Sequence, residues 1–246
     1  MPSIRNIRPA VAAALALATL AGSAATQAQD TKIPSPPWPI HVSDYLIVGV
    51  VWNEAAIRAA LPPGIRPTAD MSGGIAIYKS DGGFGISPYD SVYGFVNVEG
   101  FDTVQGGKGR WILQGLYGPG ENIAAAIRAT YGYAVRAGEV ALSETARGRR
   151  GVARLGGREV VDVEVTLDAL PCNPVAGVNH YVSGTGTKPV VHQIPFHGQW
   201  CGAQPVRADV KAPAGDPLGA LVPAKLVWAG EFRDGGITFT KPITRP

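Results

Sequence analysis

The 246-residue sequence has little charge and no cluster of like charges. Charged side chains make up 17% of the residues, and the formal net charge is +3. Two of the basic residues, Arg5 and Arg8, precede an apolar N-terminal run, and residues 29–246 hold 20 basic and 19 acidic residues. A net charge of +1, scattered along the chain, gives no basic surface for a nucleic acid. We therefore expect no nucleic-acid partner.

Only one apolar run is long enough to suggest a targeting segment. Two arginines precede Ala10–Leu20, and small residues follow up to Thr26-Gln27-Ala28. This pattern predicts a secretory signal peptide over residues 1–28, with a retained N-terminal anchor as the alternative. No second long apolar run occurs. We expect a periplasmic or secreted protein without membrane contact after cleavage.

Cysteine is scarce, with Cys172 and Cys201 as the only two. In an oxidising compartment such a pair predicts one disulfide. The alternatives are two buried free thiols, or a metal site that combines a cysteine with His180, His192 and His197. The spacing of these residues fits no standard metal-ligand pattern. We expect the disulfide, no metal and no other cofactor.

Long helical patterns are missing too. The 32 glycines and 21 prolines punctuate many short segments, which favours short strands over long helices. One short helix is predicted at Glu54–Leu61, where Asn53 is a good N-cap and Pro62-Pro63-Gly64 ends the pattern. A second is predicted at Asn122–Ala129. We expect a single domain over residues 29–246.

Strand patterns dominate the rest of the chain. Arg149–Leu170 alternates apolar and polar residues and contains a predicted hairpin turn at Gly156-Gly157. Lys225–Phe239 predicts a second hairpin around Asp234-Gly235-Gly236, and the proline-rich arm Ile33–Ile40 is expected to be extended. Further strands are predicted at Tyr45–Trp52, Ile75–Tyr78, Tyr93–Val98 and Trp111–Leu116. The pattern indicates a mainly antiparallel β (α+β) protein with a closed or strongly curved sheet.

Several residues are candidates for chemistry, and each has a structural alternative. Gly106–Arg110 (GGKGR) lacks the strand–loop–helix context of a phosphate loop and predicts a turn. Asp90, in SPYDSVYG, is either a pocket carboxylate or an ordinary loop residue. Tyr133 and Arg136, in YGYAVRAGE, would share one face if this segment were helical. Their alternative is a packed tyrosine and a surface arginine.

The chain resembles the acetoacetate decarboxylase family in several segments that occur in the family's order. These segments are DYLIVGVVWNEAAIRAALPPGIRP, GGFGISPYDS, IRATYGYAVRAG, GRRGVARLGGREVVDVEVTLDAL and KLVWAGEF with the following ITF. The resemblance covers the mature chain. It implies a β-barrel-like cone of antiparallel strands around a central pocket, with short helices, in a homo-oligomer.

The sequence departs from this family in its catalytic segment. Family members use Tyr-Pro-Lys-Lys, in which the first lysine forms an imine with a ketone and the second lowers the pKa of the first. The matching residues here are Tyr133, Ala134, Val135 and Arg136. Valine cannot form an imine, and the arginine guanidinium stays protonated. The resemblance therefore implies a pocket without its Schiff-base lysine.

Other pocket positions are kept or altered in this comparison. Gly74 and Ser43 stand where the family has an acidic residue and an arginine. Lys79 is the lysine that we expect nearest the pocket, where it could serve as a substitute amine. The positions that the resemblance retains are Tyr45, Asp90, Arg128, Tyr133 and Arg136, with Val135 in the apolar wall.

Three functions stay open at this stage. The first is a binding protein for a small oxo-acid or carboxylate, with Arg136 on the carboxylate, Tyr133 as a hydrogen-bond donor and Val135 in the wall. The second is a lyase, hydratase or tautomerase that works without an imine and uses Asp90 as acid or base with Tyr133 and Arg136. The third is a partner-binding domain with a vestigial pocket.

Overall fold

The computed structural model describes residues 33–244, and the predicted signal peptide lies outside this range. Within it, no helix is long and apolar enough to cross a bilayer. The helices are α1 (Glu54–Ala60), α2 (Glu121–Tyr131) and a 3₁₀ helix (Pro217–Leu221). The strands are β1 (Trp38–Trp52), β2 (Ser72–Gly82), β3 (Tyr89–Val98), β4 (Gly109–Gly118), β5 (Val135–Ala137), β6 (Glu139–Glu144), β7 (Gly148–Leu155), β8 (Arg158–Leu167), β9 (Asn173–Thr185), β10 (Lys188–Val210), β11 (Pro223–Phe239) and β12 (Ile243–Thr244).

The strands form one mixed sheet that curves back on itself. Its order is β11-β1-β2-β3-β4-β9-β10-β8-β7-β6, and β10 also pairs with β11. The first seven strands therefore close a ring. The ring is not a regular barrel, because β4 and β9 run parallel and pair only at Arg110–Tyr181 and Trp111–Val182. The mainly antiparallel β prediction is confirmed.

Two hydrophobic cores lie on opposite faces of the ring strands. On β1, Tyr45 and Ile47 belong to the inner core, whereas Leu46 and Val48 belong to the outer one. The outer core is completed by β7 and β8, which contribute residues such as Val163. Burial of both faces explains why Tyr45–Trp52, the second half of β1, is an apolar run rather than an alternating one.

The predicted helices and one hairpin are confirmed. Asn53 caps α1, because its side chain accepts a hydrogen bond from the Ala56 N–H at 3.1 Å. Helix α2 ends at Tyr131, and the following Gly132 has the left-handed conformation that favours glycine. Gly156-Gly157 joins β7 to β8, and both glycines have positive φ angles, as a tight hairpin turn requires.

The predicted hairpin in Lys225–Phe239 is wrong, because this segment lies within the single strand β11. Strand β11 pairs with β1 from Trp38–Phe239 to Trp52–Pro223 and with β10 on its other side. Asp234 takes a positive φ of 45° inside the strand, where the pairing of β11 with β10 shifts register between His197 and Gln199. The neighbouring glycines make room for aromatic side chains, since a Cβ at Gly235 would overlap the Phe232 ring.

Strands β9 and β10 were not predicted from the sequence, and they carry the confirmed disulfide. Cys172 lies just before β9 and Cys201 lies within β10, with their Cα atoms 4.3 Å apart. Trp200, beside Cys201, pairs with Asn173, beside Cys172. The disulfide therefore links adjacent strands at one end of their ladder.

Candidate functional site

A cavity of about 170 Å³ lies inside the ring of strands. Six of the eight tyrosines of the chain line it, and most of the other lining side chains are apolar. The lining residues are Tyr45, Ile47, Tyr78, Tyr93, Arg110, Ile112, Tyr117, Tyr133, Val175, Asn179, Tyr181, Ile194, Phe196, Trp200, Trp228, Phe232, Ile237 and Phe239. Arg110 is the one charged residue among them.

Three tyrosine hydroxyls and Arg110 form a chain of hydrogen bonds in the cavity wall. The hydroxyls of Tyr45 and Tyr93 bond to each other, and the hydroxyls of Tyr93 and Tyr181 are 2.6 Å apart. Arg110 Nη1 donates to the Tyr181 hydroxyl at 3.3 Å. Side chains from β1, β3, β4 and β9 are thus joined across the ring.

The Arg110 guanidinium lies against aromatic rings rather than against a carboxylate. Its Cζ is 4.7 Å from the centroid of the Phe95 ring and 5.7 Å from that of Tyr181. Within residues 33–244, no carboxylate lies within 4.0 Å of it. An ion pair is the usual compensation for a desolvated cation. The cavity wall therefore carries a positive charge that could pair with an anion.

Burial keeps the cavity tyrosines in their neutral form. Desolvation raises the pKa of Tyr45, Tyr78, Tyr93 and Tyr133 well above the ordinary value. These phenols can donate hydrogen bonds at neutral pH, but they do not act as bases there. The hydroxyl of Tyr133 is buried and has no hydrogen-bond partner in the described part of the chain.

Two of the predicted site residues, Tyr45 and Tyr133, line the cavity. Val135 belongs to the buried inner core around the cavity, although it is not one of the lining residues. Tyr133 follows the end of α2, and Val135 begins β5. Tyr133 and Arg136 therefore do not share a helix face.

Arg136 points away from the cavity because neighbouring residues of a strand face opposite sides. Val135 faces the inner core, and Arg136 Nη2 pairs with Asp216 Oδ1 at 2.5 Å, beside the 3₁₀ helix. Arg128 is also outside the cavity. It pairs with Glu121 on its own helix and donates to the Val135 carbonyl at 3.0 Å, which holds α2 against β5.

Asp90 and Lys79 lie opposite each other on β3 and β2, outside the cavity. Tyr89 and Tyr93 face the inner core, so the alternation of the strand turns Asp90 outward. Burial raises the pKa of Asp90, and the positive charge of Lys79 opposes this effect. Lys79 is exposed. Among the described residues, no lysine lines the cavity.

Gly74 and Ser43, where the resemblance implies an acidic residue and an arginine, have other neighbours in the structure. A Cβ at Gly74 would lie 2.8 Å from the Phe95 ring, so the ring occupies the space that a longer side chain would need. Ser43 donates a hydrogen bond to Asp81 at 3.3 Å on an exposed part of the sheet. Neither position supplies a polar group to the cavity.

The histidines and cysteines do not form a metal site in the described part of the chain. No group of three or more His, Cys, Asp or Glu residues there could hold a metal ion. The two cysteines are bonded to each other. His192 is fully buried beside Ser183, and burial lowers its pKa to about 4. It is therefore neutral at physiological pH.

The sequence reasoning missed Arg110, Tyr93 and Tyr181 as site residues. Arg110 had been assigned to the turn GGKGR, but it is the second residue of β4 and shares the inner face with Ile112. An arginine spaced two residues from an apolar residue at the start of a strand is the signal that could have identified it. Tyr181 lies on the unpredicted β9.

The fold is that of acetoacetate decarboxylase-like proteins. Solved structures, including the following three, share it at low sequence identity. Acetoacetate decarboxylase from Legionella pneumophila has a TM-score of 0.68 and 13% identity, covering 87% of this chain and 89% of that one. The enduracididine biosynthesis enzyme MppR, complexed with pyruvate, has a TM-score of 0.63 and 16% identity, with coverage of 86% and 91%.

The third structure is an acetoacetate decarboxylase-like enzyme from Sphingomonas wittichii RW1. Its TM-score is 0.60 at 13% identity, and the alignment covers 87% of this chain and 94% of that one. No family model matches the sequence, and no curated protein matches it. The identities are low, so these comparisons establish the fold and leave the activity to be argued from the cavity.

Proposed function

We propose that this protein binds a small carboxylate, with a 2-oxo-acid or a related carbonyl compound as the best-fitting class. The observation that carries the proposal is Arg110, a cation to which the described residues offer no carboxylate partner, in an otherwise uncharged cavity wall. A guanidinium binds a carboxylate through two parallel hydrogen bonds, and these bonds are strong in an environment of low dielectric constant. Arg110 takes the role that we had expected of Arg136.

The hydroxyl groups of the cavity suit a carbonyl oxygen next to the carboxylate. Tyr181 contacts both Arg110 and Tyr133, with ring centroids of Tyr133 and Tyr181 6.2 Å apart. The buried hydroxyl of Tyr133 is free to donate a hydrogen bond to such an oxygen. The structure of MppR with pyruvate gives a precedent for an oxo-acid in a protein of this fold.

Binding without turnover fits the cavity better than catalysis does. Among residues 33–244, the lining includes no lysine for an imine and no carboxylate or histidine for proton transfer. Of the three residues expected to act together in an enzyme, Asp90, Tyr133 and Arg136, only Tyr133 reaches the cavity. We propose that the protein holds its ligand and does not decarboxylate it.

We propose export as well, to the periplasm or the cell exterior. The disulfide Cys172–Cys201 supports this proposal, because such bonds persist in oxidising compartments. The signal-peptide pattern of residues 1–28 also supports export.

The proposal is tested by calorimetric titration with pyruvate and with its neutral methyl ester. We expect saturable binding of pyruvate and at least tenfold weaker binding of the ester, because the ester cannot pair with Arg110 as an anion. In Arg110→Met the affinity for pyruvate should fall at least tenfold, while the affinity for the ester should change little. Arg110→Lys keeps the charge and loses the paired hydrogen bonds. Its affinity for pyruvate should therefore lie between those of the unmodified protein and Arg110→Met.

Arg136→Met is the matched control, since it removes the same charge outside the cavity. It should bind pyruvate as the unmodified protein does. Equal affinities for acid and ester, or a loss of binding in Arg136→Met but not in Arg110→Met, would contradict the proposal.

A further inference from the structure

The mouth of the cavity carries two tryptophans. Trp228 lines the cavity and is nevertheless 44% exposed, so its indole lies at the boundary between the cavity and the solvent. Trp200 is half-buried beside it, with the ring centroids 6.2 Å apart and the planes inclined by 59°. Arg110 and Asn179 are the half-buried polar lining residues. The cavity lining therefore combines one cation with a pair of indole rings, and Trp228 reaches the solvent.

Both indoles lie directly on glycines of neighbouring strands. A Cβ built at Gly49 would overlap the Trp228 ring, and a Cβ built at Gly230 would overlap the Trp200 ring. Glycine within a strand allows this close approach of a ring to the backbone. Each ring is thus set back against the wall, and the indoles border the entrance instead of filling it.

The cavity is also larger than a minimal oxo-acid requires. An apolar cavity of about 150 Å³ in another protein accommodates benzene, and the cavity here is about 170 Å³ with a largely apolar lining. Pyruvate would leave most of that apolar surface, including the exposed Trp228 ring, without a partner. An aromatic group on the ligand would cover this apolar surface. Offset or edge-to-face contacts between the rings would add to the favourable free energy of burying it.

We infer that the ligand is a carboxylate that bears an aromatic group, and that Trp228 and Trp200 hold this group at the mouth while Arg110 pairs with the carboxylate. The inference rests on the proposed function, because it assigns the carboxylate to Arg110. It adds a substrate class, aryl oxo-acids such as phenylpyruvate, and a residue that determines specificity, Trp228.

The test compares the dissociation constants of phenylpyruvate and pyruvate by calorimetry. The unmodified protein should bind phenylpyruvate at least tenfold more tightly than pyruvate. In Trp228→Ala this preference should fall at least fivefold. Val227→Ala is the matched control, because Val227 is 52% exposed next to Trp228 but does not line the cavity. It should leave the preference unchanged.

Gly49→Ala provides a second variant that keeps the indole and displaces it. Because the added methyl group overlaps the Trp228 ring, the preference for phenylpyruvate should fall here too. Equal affinities in the unmodified protein, or an undiminished preference in Trp228→Ala, would overturn the inference. If Arg110→Met still loses pyruvate binding in that case, the proposed function stands. If neither acid binds the unmodified protein, both proposals fail.

Discussion

The hydroxyl of Tyr133 links the stability of the empty protein to ligand binding. It is buried in the cavity wall, and the described residues offer it no hydrogen-bond partner. An unsatisfied buried polar group costs roughly 1–3 kcal/mol. A ligand oxygen in the cavity would remove that cost, so the same group should weaken the empty protein and strengthen the complex.

Tyr133→Phe should therefore separate the two effects. We expect the free energy of unfolding of the empty protein to rise by about 1 kcal/mol, because the unsatisfied hydroxyl is removed. We expect the affinity for pyruvate to fall several-fold, because a donor to the ligand is lost. Urea unfolding and calorimetric titration of the same preparation measure both quantities.

Tyr131→Phe is the control for this experiment. The Tyr131 hydroxyl donates to the Thr240 carbonyl at 3.0 Å, and Tyr131 does not line the cavity. This variant should lose stability and keep its affinity for pyruvate. A destabilised Tyr133→Phe protein with unaltered binding would show that the hydroxyl has a structural partner and no ligand.

The identity of the site residues was only partly predictable from the sequence. Tyr45 and Tyr133 were expected in the pocket and line it. Arg136 and Asp90 were expected there and face the other way, since each lies one residue from an inward-facing residue on a strand. A shift of one residue reverses the face. Similarity between short sequence segments does not fix that register.

Strands β1, β7 and β11 are held together by a buried ionic cluster around Arg149. Arg149 Nε is 2.6 Å from Glu231 Oε1, and the Glu231 side chain is fully buried. Arg149 also lies 3.2 Å from an oxygen of Asp44 and 2.7 Å from one of Glu144, while Arg233 pairs with Glu231 as well. The cluster fixes β7 across the outer face of the β1–β11 pair.

Arg149→Met should destabilise the protein on the order of 3 kcal/mol, because it removes a partner of a buried carboxylate. Arg233 still pairs with Glu231, which limits the loss. The midpoint of urea unfolding, followed by circular dichroism, measures the effect.

Arg58→Met gives the comparison at an exposed ion pair. Arg58 pairs with Glu54 at 2.8 Å within α1, and both side chains are more than half exposed. Its removal should cost less than about 0.5 kcal/mol. Similar losses in Arg149→Met and Arg58→Met would contradict a structural role for the buried cluster.

Strand β11 shows that a sequence typical of a hairpin turn can instead continue a strand. Asp-Gly-Gly is a common hairpin sequence, and Gly156-Gly157 does form such a turn. In β11 the same residue types continue a strand that has partners on both sides. Long-range pairing overrode the local preference, and a single sequence does not reveal long-range pairing.

The fold as a whole was more predictable than its site. Apolar runs, short helices and turn residues indicated a curved, mainly antiparallel sheet, and the sheet closes a ring through the β10–β11 pairing. This ring encloses the cavity whatever residues line it. An acetoacetate decarboxylase-like fold can therefore keep a pocket even where residues of its wall change.

Reductive trapping tests most directly whether the cavity lacks a lysine that forms an imine. The protein is mixed with pyruvate or acetoacetate, sodium borohydride is added, and the intact mass is recorded beside a lysine-containing acetoacetate decarboxylase. We predict a mass increase for the decarboxylase and none for this protein, because no described lysine lines its cavity. A trapped adduct that peptide mapping places on Lys79 or on another lysine would contradict the account and restore imine chemistry to the cavity.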